Sequence, residues 1–170
     1  MDLITLKVKY FDPDMPKLTH IDRGDWIDLR VREVILSGPD NDFPLFNNKY
    51  EKHYYHKGYP ISPFTSIKIM LGIAMEIPPG YEAHIRPRSS TFKHTGLIQV
   101  NSVAVIDNSY CGDNDEWFVP MFALKSGRRV QRYERICQFR LFEKMPKVSF
   151  ETVKSLTGKD RGGYGSTGRL

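Results

Sequence analysis

Apolar and polar residues alternate along most of this chain. Ile4, Leu6, Val8 and Tyr10 are interleaved with Thr5, Lys7 and Lys9. Ile67, Ile69, Leu71, Ile73, Met75 and Ile77 keep the same period of two. Cys137, Phe139 and Leu141 flank Gln138 and Arg140, and Val148 and Phe150 flank Ser149. Successive side chains of a strand point to opposite faces, so each stretch predicts a half-buried β-strand. Gly38-Pro39-Asp40-Asn41, Pro78-Pro79-Gly80 and Ser126-Gly127 read as turns between strands. Many short strands punctuated in this way predict an all-β sandwich, jelly roll or barrel. A brief helix is expected around Ser89 to His94, with Ser89 or Ser90 as N-cap and Gly96 as the stop.

Residues 38–63 break the alternation. They carry Pro39, Pro44, Pro60 and Pro63, and Tyr50, His53, Tyr54, Tyr55, His56 and Tyr59 crowd together. The expectation is an inserted surface loop or extra hairpin, with a tyrosine-rich surface suited to a protein partner. His53 and His56 alone make a poor metal site, because their neighbours are tyrosines rather than further Cys or His ligands. The far end, residues 158–170, is glycine-rich. Arg161, Tyr164, Ser166 and Thr167 there offer charge, a flat ring and hydroxyl donors, and the stretch reads either as a flexible lid over a nucleotide or as a disordered terminus.

The chain has 170 residues, 40% of them hydrophobic and 12% aromatic, which suits a single domain with one sizeable core. The formal net charge of +5 favours an anionic ligand. No block of roughly five or six basic residues appears, so direct nucleic-acid binding is not expected. The N-terminus lacks the charged and apolar regions of a secretory signal, and no apolar run approaches the ~18 residues of a membrane span. Cys111 and Cys137 are the two cysteines and form no CxxC pair. A reduced, cytoplasmic protein without a zinc site is the expectation.

Four clusters bear chemistry. In GDWIDLR, Asp28 is either an ion-pair partner for Arg30 or Arg32, or a carboxylate for a hydrated Mg²⁺. In Arg86-Pro87-Arg88-Ser89-Ser90, a guanidinium beside a helix start would form an anion site. In NSVAVIDNSY, Asp107 ends a strand where Val105 and Ile106 would raise its pKa towards that of a general base. A turn-forming Asp bonded to its own backbone is the alternative there. In ERICQ, Gln138 is the polar exception on a strand.

Taken in order, GDWIDLR, PRSS, NSVAVIDNSY, ERICQ and RGGYGSTG resemble the sequence motifs of the homotrimeric dUTPases. The resemblance runs from about Trp26 to Gly168, interrupted mainly by 38–63. It implies a jelly-roll-like β barrel, a homotrimer whose active sites are shared between subunits, and hydrolysis of dUTP to dUMP and pyrophosphate. By the same resemblance Asp107 activates the attacking water, and Gln138 helps place it. Asn101 and the adjacent strand backbone, Val105 included, read the uracil edge. Tyr110 packs beneath the deoxyribose, Arg88, Ser89 and Ser90 hold phosphate oxygens, and Asp28 reaches Mg²⁺ through water. The tail closes with Tyr164 over the base and Arg161, Ser166 and Thr167 on the outer phosphates.

The chain departs from the family pattern in four places. Ala104 stands where glycine is usual, Tyr133-Glu134-Arg135 replaces Gly-Asp-Arg, Tyr164 replaces phenylalanine, and Arg161 lies closer to that ring than in many members. Two alternatives remain at this level. One is a dCTP deaminase or bifunctional deaminase–dUTPase, for which Glu116 is the only nearby acid. The other is a trimeric regulatory protein that binds partners through 38–63.

Overall fold

The computed structural model describes residues 3–22, 24–37, 42–44, 58–125 and 128–163. The architecture is mostly β, as the alternation predicts. The strands are β1 (Lys7–Tyr10), β2 (Ile27–Arg30), β3 (Glu33–Ser37), β4 (Asp42–Pro44), β5 (Tyr59–Ile61), β6 (Ser66–Met70) and β7 (Ile73–Glu76). They continue with β8 (Tyr81–Pro87), β9 (Leu97–Gln99), β10 (Ala104–Ile106), β11 (Phe118–Ala123), β12 (Arg128–Val130) and β13 (Arg135–Glu143). Among the described residues one helix, α1 (Thr91–Thr95), lies between β8 and β9. The two larger sheets run β10-β8-β13-β2 and β4-β3-β6-β11-β9, and β1-β7 and β12-β5 form separate pairs. Every paired ladder is antiparallel.

The core forms where the inward positions of these strands meet. Leu29, Ile67, Ile69, Ile85, Met121 and Phe139 are fully buried. Trp117 meets Phe139 edge-on, with ring centroids 5.3 Å apart. Each such side chain contributes roughly 1.5–3 kcal/mol relative to an exposed position.

The run from Ile67 to Ile77 differs from the sequence expectation. All six alternating residues are buried, but the chain turns at Leu71-Gly72 and makes two strands in different sheets. Gly72 adopts φ 70°, and a Cβ there would lie 2.5 Å from Met15 Sδ. Only glycine meets both conditions. A second correction concerns Val148 and Phe150. They form no strand and are 53% and 94% exposed, because residues 144–163 lie outside every described sheet.

The expected insert is partly built into the body. Asp42–Pro44 pairs with β3, and Tyr59–Ile61 pairs with β12 and buries Ile61 in the core. Its centre, with His53 and His56, and the turn clusters at 38–41 and 126–127 lie outside the described residues. Cys111 is exposed, Cys137 is buried, and both thiols are free. Among the described residues no helix is long and apolar enough to cross a membrane.

Candidate active site

A pocket of about 300 Å³ opens beside β10, lined by Asn101, Ala104, Val105, Ile106, Asp107, Tyr110, Phe118 and Pro120. Four of the residues singled out in the sequence, Asn101, Val105, Asp107 and Tyr110, thus share one cavity. Phe118 and Pro120 were not anticipated. Their signal lies in β11, whose burial alternates so that these two residues occupy its half-exposed face.

The floor of the pocket is fixed from behind. The Tyr110 amide donates to the Asp107 carbonyl at 3.2 Å, and the Tyr110 hydroxyl donates to the Glu116 carbonyl at 3.2 Å. The ring is therefore held at both ends, and its partial burial raises the phenol pKa. Val105 is 54% exposed, so the pocket presents open apolar surface as well as polar edges.

Asp107 departs from expectation. Its carboxylate accepts the Ser109 hydroxyl at 2.5 Å and the Ser109 amide at 2.7 Å. These bonds favour the charged form, and its pKa is lowered rather than raised by the apolar neighbours. The side chain is exposed, and the upward push from desolvation is smaller than the effect of the two Ser109 bonds. The turn-forming geometry is present, and it delivers an ionised carboxylate at the pocket mouth.

The anion cluster sits elsewhere, at the far end of the same sheet. Asp28 on β2 faces Gln138 on β13, and Gln138 faces Arg86 on β8. Asp28 accepts Arg88 Nε at 2.6 Å and Arg135 Nη1 at 3.1 Å. Its partners are therefore Arg88 and Arg135, not Arg30 or Arg32. Arg30 donates to the Tyr133 carbonyl at 2.8 Å, while Arg32 grips Glu116 through Nε and Nη2 at 2.7 and 2.8 Å.

Ser89 and Ser90 lead into α1, but Ser90 makes no side-chain cap bond. Thr91 instead ties the turn before the helix to β13: its hydroxyl accepts the Arg88 amide at 3.1 Å and donates to the Ile136 carbonyl at 2.6 Å. The Ser90 hydroxyl is therefore not consumed as a cap. Arg88 turns its guanidinium towards Asp28 instead of joining the helix start. Gly96 ends α1 in the left-handed conformation at φ 70°, as expected.

The turn before β13 shows how the unusual Tyr133 is accommodated. It takes φ 62°, a left-handed conformation that costs a non-glycine residue about 1–2 kcal/mol. Its amide donates to the Val31 carbonyl at 2.7 Å, and its hydroxyl donates to Asp12 at 2.6 Å. Burial works to raise the Asp12 pKa, but the bonds from Tyr133, Arg132 and the Asp14 amide outweigh it and hold it below the usual value. The tyrosine thus occupies a glycine-type position with its own anchor.

Glu116 is 7% exposed, and besides Arg32 it accepts the Gly72 amide at 2.8 Å. It does not line the pocket, so the acid that a deaminase would require is already committed to the fold. Among the described residues no group of three or more His, Cys, Asp or Glu could hold a metal ion. Both oxygens of Asp28 are held by arginines, so Mg²⁺ would meet this carboxylate only through its own water shell, carried in on a polyphosphate. Arg161 is exposed, and Tyr164, Ser166 and Thr167 lie outside the described residues.

One chain does not unite the two halves. Asp107 follows the Ile106↔Ala83 pair, whereas Asp28 lies level with Arg86, three strands away across β10-β8-β13-β2. Strand spacings of about 4.8 Å and rises of about 3.3 Å put these carboxylates on the order of 20 Å apart.

Comparison with known proteins identifies the family. The family model for dUTPase matches residues 54–168. The SPbeta prophage-derived deoxyuridine 5'-triphosphate nucleotidohydrolase YosS of Bacillus subtilis is 44% identical over 163 residues, covering 96% of this chain and 97% of the relative. A deoxyuridine 5'-triphosphate nucleotidohydrolase of Hydrogenobaculum is 37% identical over 112 residues, covering 64% of this chain and 74% of that protein. In fold, the chain is similar to a Staphylococcus bacteriophage 80alpha dUTPase solved with dUpNHpp, at TM-score 0.65 and 16% identity, covering 96% of this chain and 98% of that one. The Streptococcus mutans dUTPase gives TM-score 0.61 at 18% identity, covering 84% and 98%. With its motifs, fold and relatives in agreement, the chain belongs to the dUTPase family.

Proposed function

We propose that this protein hydrolyses dUTP to dUMP and pyrophosphate. The observation that carries the reading is the pocket beside β10, which combines apolar walls, an amide at Asn101, a ring at Tyr110 and an ionised Asp107. Uracil enters with its polar edge towards Asn101 and the β10 backbone at Val105. The deoxyribose packs on Tyr110. Asp107 removes a proton from water as its oxygen bonds to the α-phosphorus, and the bond to the β-phosphate bridge breaks in line to release pyrophosphate. Gln138 orients the water and the α-phosphate.

Arg88, Ser89 and Ser90 hold phosphate oxygens, and the tail residues Arg161, Tyr164, Ser166 and Thr167 close over the nucleotide. Asp28 would hold Mg²⁺ through water, and the ion would supply positive charge to neutralise the phosphates. One of the structural relatives, a dUTPase of phage phi11, is described with a structural Mg(II) ion.

The active unit is a homotrimer. The roughly 20 Å between Asp28 and Asp107 exceeds the span over which one scissile phosphate can be shared, so the halves of a site come from different copies. Met145, Phe150 and Leu156, which are 72%, 94% and 86% exposed, belong to a segment suited to packing on a neighbour. A partner protein at 38–63 would add to this activity without replacing it.

The test is pyrophosphate release from dUTP, dCTP, dTTP and UTP in the presence of Mg²⁺, with each product base identified. Release from dUTP alone supports the reading. Conversion of dCTP to a uracil nucleotide, or no turnover of any of the four, would refute it.

A further inference from the structure

Gln99, the last residue of β9, stands behind Asn101 and outside the pocket itself. Its Nε2 donates to the Ile85 carbonyl at 3.2 Å and to Asn101 Oδ1 at 3.0 Å. A main-chain carbonyl can only accept, so the Gln99 atom facing it must be the NH₂ group. That group can only donate, so Asn101 must turn its oxygen towards it. One backbone carbonyl on β8 therefore fixes two amides in series. Gln99 Oε1 is left buried with no hydrogen-bond partner. Rotating the amide would relieve that oxygen only by setting it against the Ile85 carbonyl and withdrawing the donor from Asn101.

We infer that Gln99 is a positioning residue that sets the base specificity of the pocket. By occupying the Asn101 oxygen, it leaves Asn101 to offer its NH₂ to the ligand. The pocket then accepts a pyrimidine with a carbonyl at the 4-position and opposes one with an amino group there, where two donors would meet. This inference rests on the proposed dUTP hydrolysis and identifies what enforces uracil over cytosine.

The experiment measures kcat and KM for dUTP and dCTP in the wild type, Gln99→Met and Asn101→Asp, with thermal melts as the check on folding. Methionine keeps the length of glutamine but donates nothing. Expected for Gln99→Met is a rise of about tenfold in KM for dUTP with kcat within about twofold, and a fall of about tenfold in the dUTP-to-dCTP ratio of kcat/KM. Asn101→Asp keeps an acceptor for Gln99 but presents an oxygen to the ligand, so the ratio should fall further. It also serves if Gln99→Met does not fold, because Asn101 is exposed. An unchanged ratio in either folded variant, or an equal loss on both substrates, would overturn the inference. Failure of the underlying reading shows separately, as a wild-type protein inactive on dUTP.

Discussion

If Asp107 and Arg88 act on one nucleotide from different copies, two inactive variants should rescue each other. Asp107→Asn removes the base at one end of β8, and Arg88→Ala removes the phosphate contact at the other. Each homotrimer has no intact site. When the two are unfolded together in equal amounts and refolded, a site is intact if its Asp107 comes from the Arg88→Ala chain and its Arg88 from the Asp107→Asn chain. Each choice has a probability of about one half, so about one quarter of sites recover. An intramolecular site recovers none, because every chain carries one defect. Pyrophosphate release from dUTP, measured before and after co-refolding, distinguishes about 25% of wild-type activity from background. Background activity in mixtures that form heterotrimers, detected through a size tag on one variant, would refute the divided site and the spacing argument behind it.

Three further outcomes are expected. Asp107→Asn alone should lower kcat by about 10²–10⁴ with an unchanged melting temperature, since it removes an exposed general base and no core contact. For Asp107 the folded pKa is depressed, so the ionised form persists as pH falls and activity is lost only as pH drops through that lowered value. Ser109→Ala removes the hydroxyl that contributes most to the shift and should move the acid limb of kcat/KM upward, which a pH–rate profile reads directly. Glu116→Gln deprives Arg32 of a buried ionic partner and should cost about 3 kcal/mol, or about 6–12 °C in melting temperature by calorimetry.

Much of this protein was legible in its sequence. Alternation identifies strands because pleating sends neighbours to opposite faces, and it correctly marked Ile67 to Ile77, Cys137 and Phe139 as buried, with Leu141 partly buried against the same core. The ordered motifs pointed to the family because their sequence and order resemble those of its members. Alternation says nothing of which edge a strand will meet. Gly72 divides one apparent strand between two sheets, while Val148 and Phe150 keep the pattern without a partner among the described sheets.

The partners of charged groups were likewise settled only by the fold. Asp28 meets Arg88 and Arg135 because β2, β13 and β8 lie side by side, although the arginines are distant in sequence. The direction of the Asp107 shift depended on a local turn that brings Ser109 to its carboxylate rather than on the apolar residues beside it. Gln99 gave no signal in the sequence, since its role arises from the packing of β9 against the Ile85 carbonyl of β8. Local chemistry is written along the chain, but distances between remote groups are fixed only when the strands assemble.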